Sequence, residues 1–187
     1  DPEAPEMVVD FVRHVGGAAA TWAIQAQTGD VVYLSPAKGW SSPPADTTWQ
    51  LLLADLTGLP ALGRILAELP ADMRAITVAE VATEADRQEF SSAAEVSSQW
   101  LVAGNGHEPS QLLEVLKGIE LPAGPGYIWL AGEASESRAV RKYVRRELGW
   151  TTDRFTIIGY WRMDQERWLA RYEPIGETLE KVYTDAV

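Results

Sequence analysis

The sequence predicts an α/β protein: a five-stranded parallel sheet with helices on both faces, preceded by the end of an antiparallel β domain. Three observations predict it. After residue 48, apolar runs of strand length alternate with segments of helical period about five times, the rhythm of a parallel sheet covered on both sides. Tyr127–Ala131, a Gly at 132, a helix from Ala134 to Leu148 and a second apolar run from Phe155 to Ile158 read as one strand–turn–helix–strand unit. Between Ser35 and Thr48 lie Pro36, Gly39, Pro43 and Pro44 among Ser and Thr, which is linker composition. The predicted units are residues 1–36, a linker at 37–48, and an α/β domain at 49–187 closed by a C-terminal capping element.

In chain order, residues 7–13 read as a buried strand, and Gly16–Ala23 as a Gly-rich turn into a short helix. Gly29-Asp30 is a turn, and Val31–Leu34 another strand. Trp49–Ala54 is an apolar run of strand length. Leu62, Ile65, Leu66 and Leu69 recur at helical spacing, with Pro60 in the first turn where its missing N–H costs nothing. Strands follow at Ala75–Val81 and Gln99–Ala103. Leu112, Leu113 and Leu116 mark a helix over Ser110–Lys117 that stops at Gly118. Val140, Tyr143, Val144 and Leu148 form the buried stripe of the last long helix. Because the chain begins at Asp1 and is already strand-like by Met7, it reads as a piece of a longer protein or as one with a processed or trimmed terminus.

Composition excludes several functions. The 187 residues carry a net charge of −11, which argues against non-specific binding to nucleic acid or to an anionic membrane. No apolar run nears the ~18 residues of a membrane span, and no secretory leader opens the chain. With no Cys there is no disulfide or thiol nucleophile, and the two His have no metal-ligand spacing. The expectation is a cytoplasmic monomer with no metal site.

The chemistry-bearing candidates sit at strand ends. Ala54–Pro60 joins the first strand of the α/β domain to its first helix; its N–H groups and the Thr57 hydroxyl either hold a phosphate or form an ordinary Thr cap with a tight Gly turn. Gly17–Trp22 is either a second anion cradle or a small-residue helix start packed on its neighbour. Glu80 and Glu84 flank the end of the second strand, placed for a ribose hydroxyl or for solvent. Arg138 lies in the first turn of its helix, where a cation is unfavourable, so it calls for a ligand or an acidic partner such as Glu133.

These stretches resemble the siderophore-interacting proteins, a branch of the ferredoxin-NADP reductase-like flavoproteins. The matching segments are Val9–His14, Gly17–Ala23, Gly29-Asp30, Thr57–Ala61, Glu80–Ala82, Ala131–Ser135 with Arg138, and Gly159–Arg162. The resemblance implies a ferric-siderophore reductase in which NAD(P)H reduces FAD and FAD reduces Fe(III). It implies that His14 lies beside the flavin and that Gly17, Ala18, Ala19, Ala20, Thr21 and Trp22 border the FAD pyrophosphate. Thr57, Gly58, Leu59, Pro60, Gly132, Glu133 and Ser135 would line the nicotinamide cofactor site. Tyr160, Trp161 and Arg162 would face flavin and substrate, with Arg138 and Arg162 toward the anionic ferric chelate. Residues 1–36 would be the remnant of a flavin β-barrel whose upstream segment is missing. Three departures stand out: the upstream Arg-x-Tyr-Thr/Ser motif is absent, Ala20 replaces a Ser, and Leu56 replaces an acid. They imply weak flavin binding by this chain alone. They keep open a non-catalytic nucleotide- or siderophore-binding module, beside a generic flavin oxidoreductase.

Overall fold

The computed structural model describes residues 7–9, 11, 18–33, 42–103 and 109–163. Within them the chain forms α1 (Ala18–Gln25), β1 (Trp49–Ala54), α2 (Leu59–Glu68), β2 (Arg74–Val81), β3 (Glu95–Val102), α3 (Leu112–Gly118), β4 (Gly126–Glu133), α4 (Ala134–Arg146) and β5 (Phe155–Trp161). Single 3-10 turns lie at Leu56–Gly58, Glu84–Asp86 and Thr152–Arg154.

The strands pair in the order β3-β2-β1-β4-β5, every pair parallel. β1 is central and buried at each of its positions, which is why its sequence is nearly all apolar rather than alternating. Its side chains feed two cores. Trp49, Leu51 and Leu53 meet Leu112 and Leu116 of α3 and Val140 and Val144 of α4, while Leu52 and Ala54 meet Leu59, Leu62 and Leu66 of α2. Helices therefore cover both faces. Gly126 starts β4 because the Trp49 ring fills the space beside it: a Cβ there would lie 2.1 Å from Cζ2.

The register aligns Ala54 with Ala79 of β2 and Ala131 of β4, so the carboxyl ends of these strands form one edge. The connection leaves β1 toward β2 on one side, and the chain later returns to place β4 on the other. The crevice between β1 and β4 is thus the topological switch point, where open α/β sheets bind ligands.

Two expectations differ from the structure. β3 begins at Glu95, four residues before the predicted Gln99. It is an edge strand whose first half exposes Glu95, Ser97, Ser98 and Gln99, so no apolar run announces it. The strands expected at 7–13 and Val31–Leu34 are absent from residues 7–9, 11 and 31–33. No described strand lies beside them, and an unpaired strand has no ladder to hold it. The short helix expected after Gly17 does form, as α1. His14, Gly17, His107 and the segment after Met163 lie outside the described residues.

Candidate functional site

At the end of β1 the chain turns sharply, and Asp55 organises the turn. Its carboxylate is 4% exposed. Oδ1 accepts from the Thr57 backbone N–H at 2.8 Å, the Thr57 hydroxyl at 2.6 Å and the Gly58 N–H at 3.3 Å. The sequence offered Thr57 as either cap or phosphate ligand; the cap is Asp55, and the donors of this turn are already spent on it. Gly58 packs against β4, and Leu59 then buries itself in the core at the start of α2, with Pro60 behind it.

At the end of β4, Glu133 does the same for α4. Oε2 accepts from the backbone N–H groups of Ser135 and, at 3.0 Å, Glu136; Oε1 accepts from the Met163 N–H at 3.1 Å and the Ser135 hydroxyl at 3.3 Å. Burial pushes the Glu133 carboxyl up, but the Glu136, Met163 and Ser135 donors outweigh it and hold it below the ordinary carboxylate value. A depressed acid stabilises the fold above the ordinary carboxylate range, and that contribution is lost as pH falls through its folded value. Glu133→Ala is expected to cost about 1–2 kcal/mol at pH 7 in urea unfolding, and much less at pH 3. Arg138 turns to the Ser135 hydroxyl at 3.0 Å, not to Glu133 as the sequence suggested.

The exit of β5 closes the edge. Gly159 pairs with Gly132 and Trp161 with Glu133, leaving Tyr160 as the extra residue of a β-bulge. The Trp161 indole N–H donates to Asp55 Oδ2 at 2.6 Å. To reach it from β5 the ring crosses the end of β4 beside Gly132, where a Cβ would lie 3.0 Å from Asp55 Oδ2. Gly132 therefore serves a contact within the protein. Tyr160 and Arg162 are exposed.

A second carboxylate group lies behind β2. Glu80 is 1% exposed and accepts from the Gln111 backbone N–H, while its Oε2 has no partner among the described residues. Burial first, then the charges of Glu136 and Asp55, push its carboxyl up to about 7 against the pull of Gln111 and Ser110. Glu136, also raised by burial, accepts from the Leu113 N–H at 2.8 Å. Glu80 and Glu136 thus hold the start of α3 from two elements. Glu80 faces protein instead of the solvent or ribose considered from sequence; Glu84 is exposed and paired with Arg87 at 2.8 Å.

The structure brings Thr57, Gly58, Leu59, Pro60, Gly132, Glu133, Ser135, Arg138, Tyr160, Trp161 and Arg162 to the β1, β4 and β5 end of the sheet. On α1, Ala18, Ala19, Thr21 and Trp22 are exposed and Ala20 is buried; Trp22 lies 5.8 Å from Phe11, ring to ring. Asp55 escaped the sequence reading, although an Asp two residues before Thr at a strand end is an N-cap signal.

A parallel sheet of this order, with built turns at its switch point, defines a doubly wound α/β domain of the ferredoxin reductase type. A family model described as siderophore-interacting protein matches residues 47–164, and one described as siderophore-interacting FAD-binding domain matches residues 1–40. The chain belongs to the siderophore-interacting protein family. It is similar to ferric vibriobactin reductase ViuB of Vibrio cholerae (29% identity over 166 residues, 86% of this chain and 60% of the relative). It is also similar to the NADPH-dependent ferric-chelate reductase of Escherichia coli (27% over 159 residues, 83% and 61%). The chain spans about 60% of the length of these relatives. Among solved structures, the siderophore-interacting protein SipS of Aeromonas hydrophila superposes with a TM-score of 0.69 at 30% identity, covering 81% of this chain and 64% of that one.

Proposed function

We propose that this chain is the NAD(P)H-binding part of a FAD-dependent ferric-siderophore reductase, with residues 1–36 belonging to its flavin domain and 37–48 joining the two. One observation carries the reading: the Thr57 turn, the Gly132–Glu133 turn and the Tyr160–Arg162 exit meet at a single switch-point edge, tied by the Trp161–Asp55 bond. The relatives named as ferric reductases support it.

The donor chemistry of this edge fits a pyridine dinucleotide in a particular orientation. The turns at Asp55 and Glu133 have spent their N–H donors on carboxylates, which leaves this edge negative. Such turns repel phosphate, so the nicotinamide–ribose half of the dinucleotide is the part that fits here. Among the described residues of this edge, the exposed guanidinium groups of Arg138 and Arg162 are cations suited to phosphate or to an anionic ferric chelate. α1 contrasts with both turns, since its first turn holds no acid. With Thr21, and with His14 and Gly17 earlier in the sequence, this helix start would serve the flavin pyrophosphate. FAD, when bound, supplies the redox chemistry; the protein binds and orients. Tyr160 would face flavin and substrate, with Trp161 held behind it on Asp55.

The test is NADPH- and NADH-driven reduction of ferric vibriobactin by the full-length protein with FAD. Release of Fe(II) supports the enzyme. Tight chelate binding with no turnover would favour instead the non-catalytic module that Ala20 and Leu56 suggest.

A further inference from the structure

We propose that Asp55 is a positioning residue for the substrate: by holding the Trp161 indole, it fixes the outward presentation of Tyr160 and Arg162. The assignment rests on the reductase reading above.

Both Asp55 oxygens face donors. Oδ1 meets the Thr57 N–H and hydroxyl and the Gly58 N–H, and Oδ2 meets only the Trp161 indole among the described residues. A cap alone needs one acceptor, which Ser, Thr or Asn supplies as well. Only a carboxylate accepts on both sides. An amide would turn an NH2 group against one set of donors. The carboxylate is thus suited to two tasks, and the second is to hold a residue 106 positions away.

The exit of β5 then explains why holding matters. Trp161 and Met163 point inward and are partly buried, tied to Asp55 and Glu133 respectively. Tyr160 and Arg162 alternate with them and point outward. The bulge at Tyr160 loosens the ladder just where the strand ends, so after Gly159 the backbone is steered largely by these two carboxylate ties. A Cβ at Gly132 would crowd Asp55 Oδ2, the oxygen that holds the indole. Release of the indole frees the segment that presents the Tyr160 ring and the Arg162 charge.

Asp55→Asn keeps the acceptor for the Thr57 turn and sets an amide against the indole N–H; Trp161→Phe keeps a ring, leaves the cap untouched and removes the donor. In the full-length protein with FAD, each is expected to raise KM for ferric vibriobactin about tenfold with kcat within about threefold of wild type, and the double variant to be no worse than either single one. With 15N-labelled Trp, the Trp161 indole N–H signal, identified by its loss in Trp161→Phe, is expected to exchange slowly in wild type and fast in Asp55→Asn. If wild type reduces the chelate while Asp55→Asn keeps its KM, or if the indole signal is equally protected in both, the assignment fails and the reductase reading stands. If wild type reduces nothing, the reading falls and this assignment with it.

Discussion

Replacing Gly58 with alanine is expected to destabilise the protein by about 2–4 kcal/mol and to abolish dinucleotide binding together. Gly58 has an ordinary right-handed helical backbone, φ −87° and ψ −13°, so glycine is not needed there for conformational freedom. It is needed for space. A Cβ would lie 2.6 Å from the carbonyl oxygen of Ala131, 3.1 Å from Ala54 Cβ and 3.2 Å from Ala131 Cβ. The first of these is backbone at the last β1–β4 pair, where it accepts from the Asp55 N–H, and has no rotamer to escape into. Relief comes only by prying the turn off β4, which widens the crevice and pulls Asp55 from its donors. Gly118→Ala is the control: it ends α3 with nothing within 4 Å of a new Cβ, and is expected to be neutral or slightly stabilising. Urea midpoints of the two variants against wild type decide the matter. A Gly58→Ala protein as stable as Gly118→Ala contradicts the packing described.

The second large effect is one of pH. Glu80 titrates near 7 in the folded protein, against about 4.5 for a free glutamate. Between those values the native state keeps a proton that the unfolded chain has released. Stability therefore falls as pH rises through that window and levels off above it, by about 3 kcal/mol at the upper bound for 2.5 units of difference. Glu80→Gln removes the titration. It keeps an acceptor for the Gln111 N–H and places an NH2 where Oε2 now lacks a partner. The variant is expected to match wild type at pH 5 and to exceed it by about 1–2 kcal/mol at pH 8, read from urea unfolding at both. Parallel stability–pH curves for the two proteins would refute this.

Much of the fold was legible because its central strands are buried on both faces. Trp49–Ala54 matches β1 to the residue, and the stripe of Val140, Tyr143, Val144 and Leu148 marks the inward side of α4 and the turn after it. β3 was legible only in its second half, since an edge strand with polar residues outward carries no apolar run. The site was legible as a set of turns, because Gly and Thr or Ser after an apolar strand signal a strand-to-helix turn. Their inner wiring was not. Nothing local pairs Asp55 with Trp161, and Glu80 at a strand end reads as solvated when it is in fact covered by the start of α3. Nor does Thr57 disclose that a neighbouring carboxylate has taken its donors.

In the proposed reading, the edge between β1 and β4 is negative with its turn donors already spent, so it takes the nicotinamide–ribose half of a dinucleotide and not a phosphate. The direct measurement is an amide NMR titration of the protein with NADPH and, separately, NADH. The account predicts that the N–H signals of Thr57, Gly58, Gly132 and Ser135 and the Trp161 indole shift together in one saturable step. Shifts confined to the opposite edge of the sheet, around Met73 and Arg74, or no shift with either nucleotide, would contradict it.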